Sequence, residues 1–256
     1  MNGTADRMDE MKDDARLDGM KDEALLVAGQ AVSLRSLVAD RLRLAIITGR
    51  FRPGQQLRER ELCELTGVSR PSLREALRQL EAEGLIATAP HRGPVVAALN
   101  VEEVGQLYAL RQVLESFAAR EFARLRRPAD IAALKAAVTR LDEVEKAGTP
   151  LEMLEIGTAF YGAIATGSGN PYLAQTLGAL HNRIALIRFI SLHRRARIAQ
   201  SFAALRALSE AIIAGDETLA DRLCTELLEA VGTTARAVVE AGYRLPGSAD
   251  DAGLAA

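Results

Sequence analysis

Arg70, Arg74 and Arg78 recur every four residues, while Leu73, Leu77 and Leu80 occupy the neighbouring stripe of the same period. A helix written this way packs one face and presents guanidinium forks on another, the group that matches phosphate oxygens and the guanine edge. The competing reading is a solvated helix whose arginines pair with Glu75, Glu81 and Glu83. Other chemistry is thinly supplied. Cys63 and Cys224 form no CxxC pair, which argues against a thiolate zinc site and a secreted disulfide scaffold. Gly167-Ser168-Gly169-Asn170-Pro171 lacks the Gly-Lys-Ser/Thr ending of a phosphate loop, and neither GxSxG nor HExxH occurs. Asp142 and Glu145 read as a solvated helix face rather than a catalytic pair.

The segment carrying the arginines must be positioned by its neighbours, and its charge sets it apart. Residues 33–97 hold 11 basic and 7 acidic groups, every basic one an arginine; residues 1–32 hold 4 and 8, and residues 98–256 hold 17 and 19. A chain of 256 residues with net charge −2 therefore conceals a basic module. With 48% hydrophobic and 26% charged residues, ten aromatics and no tryptophan, the composition predicts a mainly α, globular protein. No run of about 18 apolar residues suggests a signal peptide or membrane span, so a cytoplasmic location and no membrane partner are expected.

Residues 1–32 read as an acidic, mostly disordered leader. Leu34, Leu37, Val38, Leu42, Ala45 and Ile46 predict a helix ending near Gly49, and Arg52-Pro53-Gly54 a turn. A short helix is expected over 59–66, broken by Gly67; Ser69 then caps a third helix with Pro71 in its first turn. Residues 85–88 and 95–97 flank a loop with a basic tip and predict a two-stranded wing. Together these make an N-terminal winged helix-turn-helix, residues 33–97. Asn100 is positioned to cap an all-α bundle of about six helices over 101–245, interrupted near 127–128, 148–150, 167–171, 193 and 215–216; residues 246–256 read as a flexible tail.

The stretch from Leu57 to Ile86 resembles the winged helix-turn-helix of GntR-type bacterial transcription regulators. The helical remainder is similar to the FCD effector domain of the FadR subfamily. That similarity rests on Leu107-Tyr108-Ala109-Leu110-Arg111-Gln112-Val113-Leu114-Glu115, the Ser168-to-Pro171 loop and the Ala211-to-Asp216 corner. The resemblance implies a double-stranded DNA operator read by Arg60, Ser69, Arg70, Ser72 and Arg74, with Arg92 and Gly93 at a wing tip in the minor groove. It further implies a homodimer, whose two-fold symmetry demands an inverted repeat in the operator; a dimer over a promoter blocks polymerase, so a repressor is expected.

Many members of the resembled subfamily hold a divalent metal through an Asp and a His four apart, plus a His on each of two later helices. Matched by motif, those positions are Gly157, Tyr161, Leu205 and Leu227, which cannot supply that donor set. No metal and no cofactor are expected, and His181 and His193 read as structural or surface residues. A small carboxylate effector would then need Arg111, Arg183 or Arg188, with Tyr161 as a hydroxyl donor; an acyl thioester suits a leucine-lined cavity equally. Arg111 has a competing role as the i,i+4 partner of Glu115. Two alternatives stand beside the effector-responsive repressor: a DNA-binding regulator that has lost sensing, and a helical ligand-processing enzyme.

Overall fold

A computed structural model describes residues 29–193 and 195–244, with side chains described from residue 36 onward except at 194–197. Nearly all of the expected leader and the whole expected tail lie outside the described residues. Among those residues are ten helices and one two-stranded sheet.

The first helix, α1 (Gly29–Ile47), buries Val38, Ala39, Leu42 and Ile46, whereas Leu37 from the expected stripe is exposed. Next comes α2 (Glu59–Thr66), stopped at Gly67, whose φ of 69° is the left-handed region glycine enters without penalty. The third helix, α3 (Arg70–Ala82), buries Leu73, Ala76, Leu77 and Leu80 against α1, α2 and the wing. Its cap differs from expectation: Ser69 occupies the N-cap position, but its hydroxyl meets Ser72 Oγ at 3.1 Å and bonds no backbone N–H. Strands β1 (Ile86–Ala89) and β2 (Gly93–Val96) pair antiparallel with Ile86 opposite Val96 and Ala89 opposite Gly93.

Seven helices follow, one more than expected. They are α4 (Val101–Leu125), α5 (Pro128–Ala147), α6 (Pro150–Gly167), α7 (Pro171–Arg183), α8 (Ala185–Ser191), α9 (Arg195–Ala214) and α10 (Glu217–Glu240). The additional break falls at Ile184, where φ −103° and ψ 4° interrupt the helix without glycine or proline. Burial explains it, because Ile184, Ala185, Leu186 and Ile187 are all inside and tertiary packing bends the chain there. Side-chain caps start several of these helices: Asn100 and Thr149 form capping boxes with Glu103 and Glu152, while Asn170 and Asp216 cap α7 and α10. The main core joins Phe122, Leu134, Leu141, Phe160, Ile164, Leu208 and Ile212, and the most extensive seam runs between α4 and α10.

The two parts of the chain touch. Helix α8 packs on α1, and the Arg183 side chain lies so close to Gly84 that a Cβ there would sit 2.6 Å from Nε. Tyr243 Oη accepts from Leu99 N at 2.8 Å and donates to Leu99 O, tying the end of α10 to the segment before α4.

Candidate nucleic-acid interface and interior cavity

Arg70, Arg74 and Arg78 are all exposed on α3, about a right angle round the helix from its buried leucines, so the two-stripe reading of the sequence describes the helix as it stands. Arg60 on α2, Ser69 and Arg92 are exposed; Ser72 and Gly93 are half-buried. Gly93 (φ 71°) and His91 (φ 60°) turn the wing tip, and Gln56 donates to the Arg92 carbonyl, holding that loop to the segment before α2. Several arginines meet acids at the surface: Arg74 Nε to Glu59 at 2.9 Å, Arg60 to Glu64 at 3.1 Å, and Arg78 to Glu75. The Glu59 hydrogen bond raises the Arg74 pKa above its ordinary value, so the guanidinium stays charged. Exposed pairs of this kind contribute little in water and exchange readily for phosphate. Arg70 and Arg92 have no acidic partner among the described residues.

The second site is a cavity of about 300 Å³ between α4, α6, α8, α9 and α10. Gly157, Tyr161, Leu205 and Leu227 all line it, as do Arg111 and Arg188. Arg183 does not: it sits at the end of α7 against Gly84, outside the cavity, because the last turn of that helix faces the N-terminal module. Motif matching thus brought four separated positions into one space, while a basic residue chosen by type alone fell outside it.

Arg111 is 1% exposed and Glu115 2%, joined by Nε–Oε1 at 2.7 Å with a second contact at 3.3 Å. The ion-pair reading of Arg111 is the arrangement observed. His181, buried, places Nε2 2.9 Å from the same Glu115 oxygen, and Tyr108 lies under the Arg111 guanidinium at 4.7 Å. Burial works against the Glu115 charge, but Arg111 and His181 outweigh it and bring the carboxyl down to about 2. Burial likewise lowers His181, against the pull of Glu115, and favours the neutral ring. The Glu115–His181 pairing was not anticipated; the i,i+4 spacing to Arg111 exposes half of it, and nothing in sequence announces a partner 66 residues away.

Arg188 is different. Its guanidinium donates to Thr158 Oγ1 at 3.3 Å and faces the Tyr161 ring at 5.3 Å, and among the described residues it forms no ion pair. Burial lowers its pKa, and the neighbouring Arg111 lowers it further. His193 is half-buried and bonds the Phe189 carbonyl at 3.0 Å, a structural role. No group of three or more His, Cys, Asp or Glu is placed to hold a metal among the described residues. The implied ion also fails on this chain's chemistry, since a glycine, a phenol and two leucines stand beside an unpaired cation.

Residues 34–96 match the family model for bacterial regulatory proteins of the gntR family, and residues 106–230 match the FCD domain. The Nta operon transcriptional regulator of Aminobacter aminovorans is 32% identical over 145 residues, 57% of this chain and 69% of that protein. The chain belongs to the gntR family. Two solved structures carry the same architecture. E. coli McbR/YncC superposes with a TM-score of 0.68 at 21% identity, covering 82% of this chain and 99% of that one. A GntR-type regulator structure from Rhodococcus sp. RHA1 gives 0.66 at 26% identity, covering 83% and 100%. This GntR regulator is therefore a DNA-binding transcription regulator with an FCD effector domain, and the enzyme alternative falls. No described helix is long and apolar enough to cross a membrane.

Proposed function

We propose that this GntR regulator is a cytoplasmic, homodimeric repressor that binds an inverted-repeat operator and is modulated, without a metal, by a small molecule in its interior cavity. The observation that carries the proposal is the outward display of Arg70, Arg74 and Arg92 in a chain that also encloses the cavity. Arg60, Ser69, Ser72 and Gly93 complete the interface: α3 enters the major groove with its first turn at base edges while the wing reaches the minor groove. Ser69 caps no backbone N–H at the start of α3, and since Pro71 has none, the N–H groups of Arg70 and Ser72 are the ones left to receive a phosphate.

Dimerisation has a supporting surface. Leu110, Val113 and Phe117 are 45, 66 and 39% exposed and share one stripe of α4, an apolar face that a two-fold partner would cover with the same residues. Two recognition helices related by that axis require a palindromic site, and a dimer seated across a promoter blocks polymerase. The open volume supports sensing over the alternative of its loss.

Selection of bound sequences from random duplexes tests the reading, with sedimentation measured in parallel. The expected result is an inverted repeat bound by two chains. A single half-site bound by one chain, or no enrichment, overturns it.

A further inference from the structure

We propose that Gln56 is the positioning residue of the wing: its side-chain amide holds the Arg92 carbonyl and so fixes the direction in which the Arg92 guanidinium enters the minor groove. The inference deepens the reading of Arg92 as a minor-groove contact and rests on it.

The backbone shows why a side chain is needed there. Segment 54–57, just before α2, runs antiparallel beside β2. Gly54 N donates to Val96 O at 2.9 Å, Val96 N to Gln55 O at 2.9 Å and Leu57 N to Pro94 O at 2.8 Å, with Gln56 facing Val95. In such a ladder the bonded pairs recur at every second residue, so the next donor toward the tip would be the backbone N–H of Glu59, opposite Arg92. Glu59 instead opens α2, and the chain has left the sheet. The amide of Gln56 supplies the missing donor, reaching the Arg92 carbonyl from within the ladder.

Arg92 is held at its other peptide group as well, where its N–H donates to Ala89 O at 3.2 Å. It sits between two left-handed residues, His91 (φ 60°) and Gly93 (φ 71°), so the tip is a sharp corner. A non-glycine residue such as His91 keeps that conformation only where surrounding bonds hold it. With both peptide groups fixed, the direction of the exposed Arg92 side chain is set before DNA arrives. Its guanidinium forms no ion pair among the described residues, so its aim comes from its backbone. The minor groove is about 6 Å wide, and an arginine already aimed along it loses less freedom on entry than one that must be ordered there.

The test uses the full chain and the inverted repeat enriched from random duplexes, set between A·T flanks, beside the same duplex carrying diaminopurine for the flanking adenines. That base adds an amino group in the minor groove and leaves the major-groove edge of adenine intact. The ratio of the two affinities, measured by fluorescence anisotropy, reports minor-groove contact. The parent is expected to prefer the adenine duplex, and Arg92→Ala to lose the preference. Gln56→Met keeps the length of the side chain but has no donor. It weakens binding to the adenine duplex by about twofold to tenfold and shrinks the ratio toward unity, while discrimination at the base position read by Arg74 stays as in the parent. Added to Arg92→Ala, it weakens binding no further. Gln56→Lys, which restores a donor, restores the ratio, and its extra charge cancels because both duplexes meet it. A parental ratio in Gln56→Met, or losses that multiply in the double variant, overturns the proposal and leaves the wing reading in place. A Gln56 that merely supports the fold would lower the melting temperature and weaken both duplexes alike, which also overturns it. No preference in the parent, or one that Arg92→Ala keeps, overturns the wing reading itself and the proposal with it.

Discussion

Arg74 shows how one side chain serves two states. Free, it leans on Glu59 across from α2; on DNA, that carboxylate competes with the base edge for the same fork. Arg74→Ala is expected to weaken operator binding by about tenfold or more and to relax specificity at one base position, measured by fluorescence anisotropy on single-base operator variants. Glu59→Gln, which frees the arginine, is expected to strengthen it, and affinity should fall steeply with salt in every case. Glu115 makes a contrasting prediction, for stability. Glu115→Gln leaves Arg111 buried without its counter-charge and is expected to cost about 3–5 kcal/mol by chemical denaturation. The pH dependence has a fixed sign. His181 is lowered from 6.5 and Glu115 from 4.5 to about 2, so both favour the fold at neutral pH. The His181 contribution is lost as pH falls below about 6.5 and that of Glu115 as it falls from about 4.5 toward 2. Melting temperatures followed from pH 7 to 3 should decline through both windows, and a neutral isostere at His181 should remove the upper one.

Elements announced themselves where local chemistry decided them. Residues 59–66 were readable because Gly67 ends the helix, α4 because Asn100 caps it, and α6, α7 and α10 because glycine and proline break the chain near 148–150, 167–171 and 215–216, where Thr149, Asn170 and Asp216 prove to cap. The wing was readable from its flanking apolar runs, with its pairing extended to Ala89 and Gly93 by the turn at His91. What stayed hidden was decided by distant packing. The break at Ile184 carries no local marker, and the exposure of Leu37 cannot be inferred from period alone. In the cavity, positions were legible through the motif but partners were not: Arg188 differs from Arg183 only in which way each faces once α7 and α8 have parted. Helix approach offers a check of its own. A Cβ at Gly167 would meet the Phe122 ring at 2.4 Å, so α4 and α6 touch there only because the residue is glycine. Gly167→Ala is expected to destabilise by about 1–3 kcal/mol through overpacking, measured by urea denaturation.

At the scale of the molecule, the cavity and the recognition helix are joined through α8, which carries Arg188 on one side and rests on α1 on another, and through Arg183 against Gly84. A ligand that favours one placement of α8 biases the spacing of the recognition helices, and coupling of about 1–3 kcal/mol corresponds to a 5–150-fold change in operator affinity. Arg183→Ala is expected to leave ligand binding in the cavity intact while reducing that change, measured as the ratio of operator affinities with and without a cavity ligand; an unaltered ratio would remove Arg183 from the route. A last consequence concerns how such a protein can be dissected. The phenol of Tyr243 grips both backbone atoms of Leu99 across 144 positions of sequence, so the stretch between the two halves is fastened by the far end of the chain. Clipping the protein just after Glu240 would spare the buried Val238 and the seating of α8 on α1 while removing this clasp, and a shortened version of that sort should still grip operator and cavity ligand while letting each feel the other less.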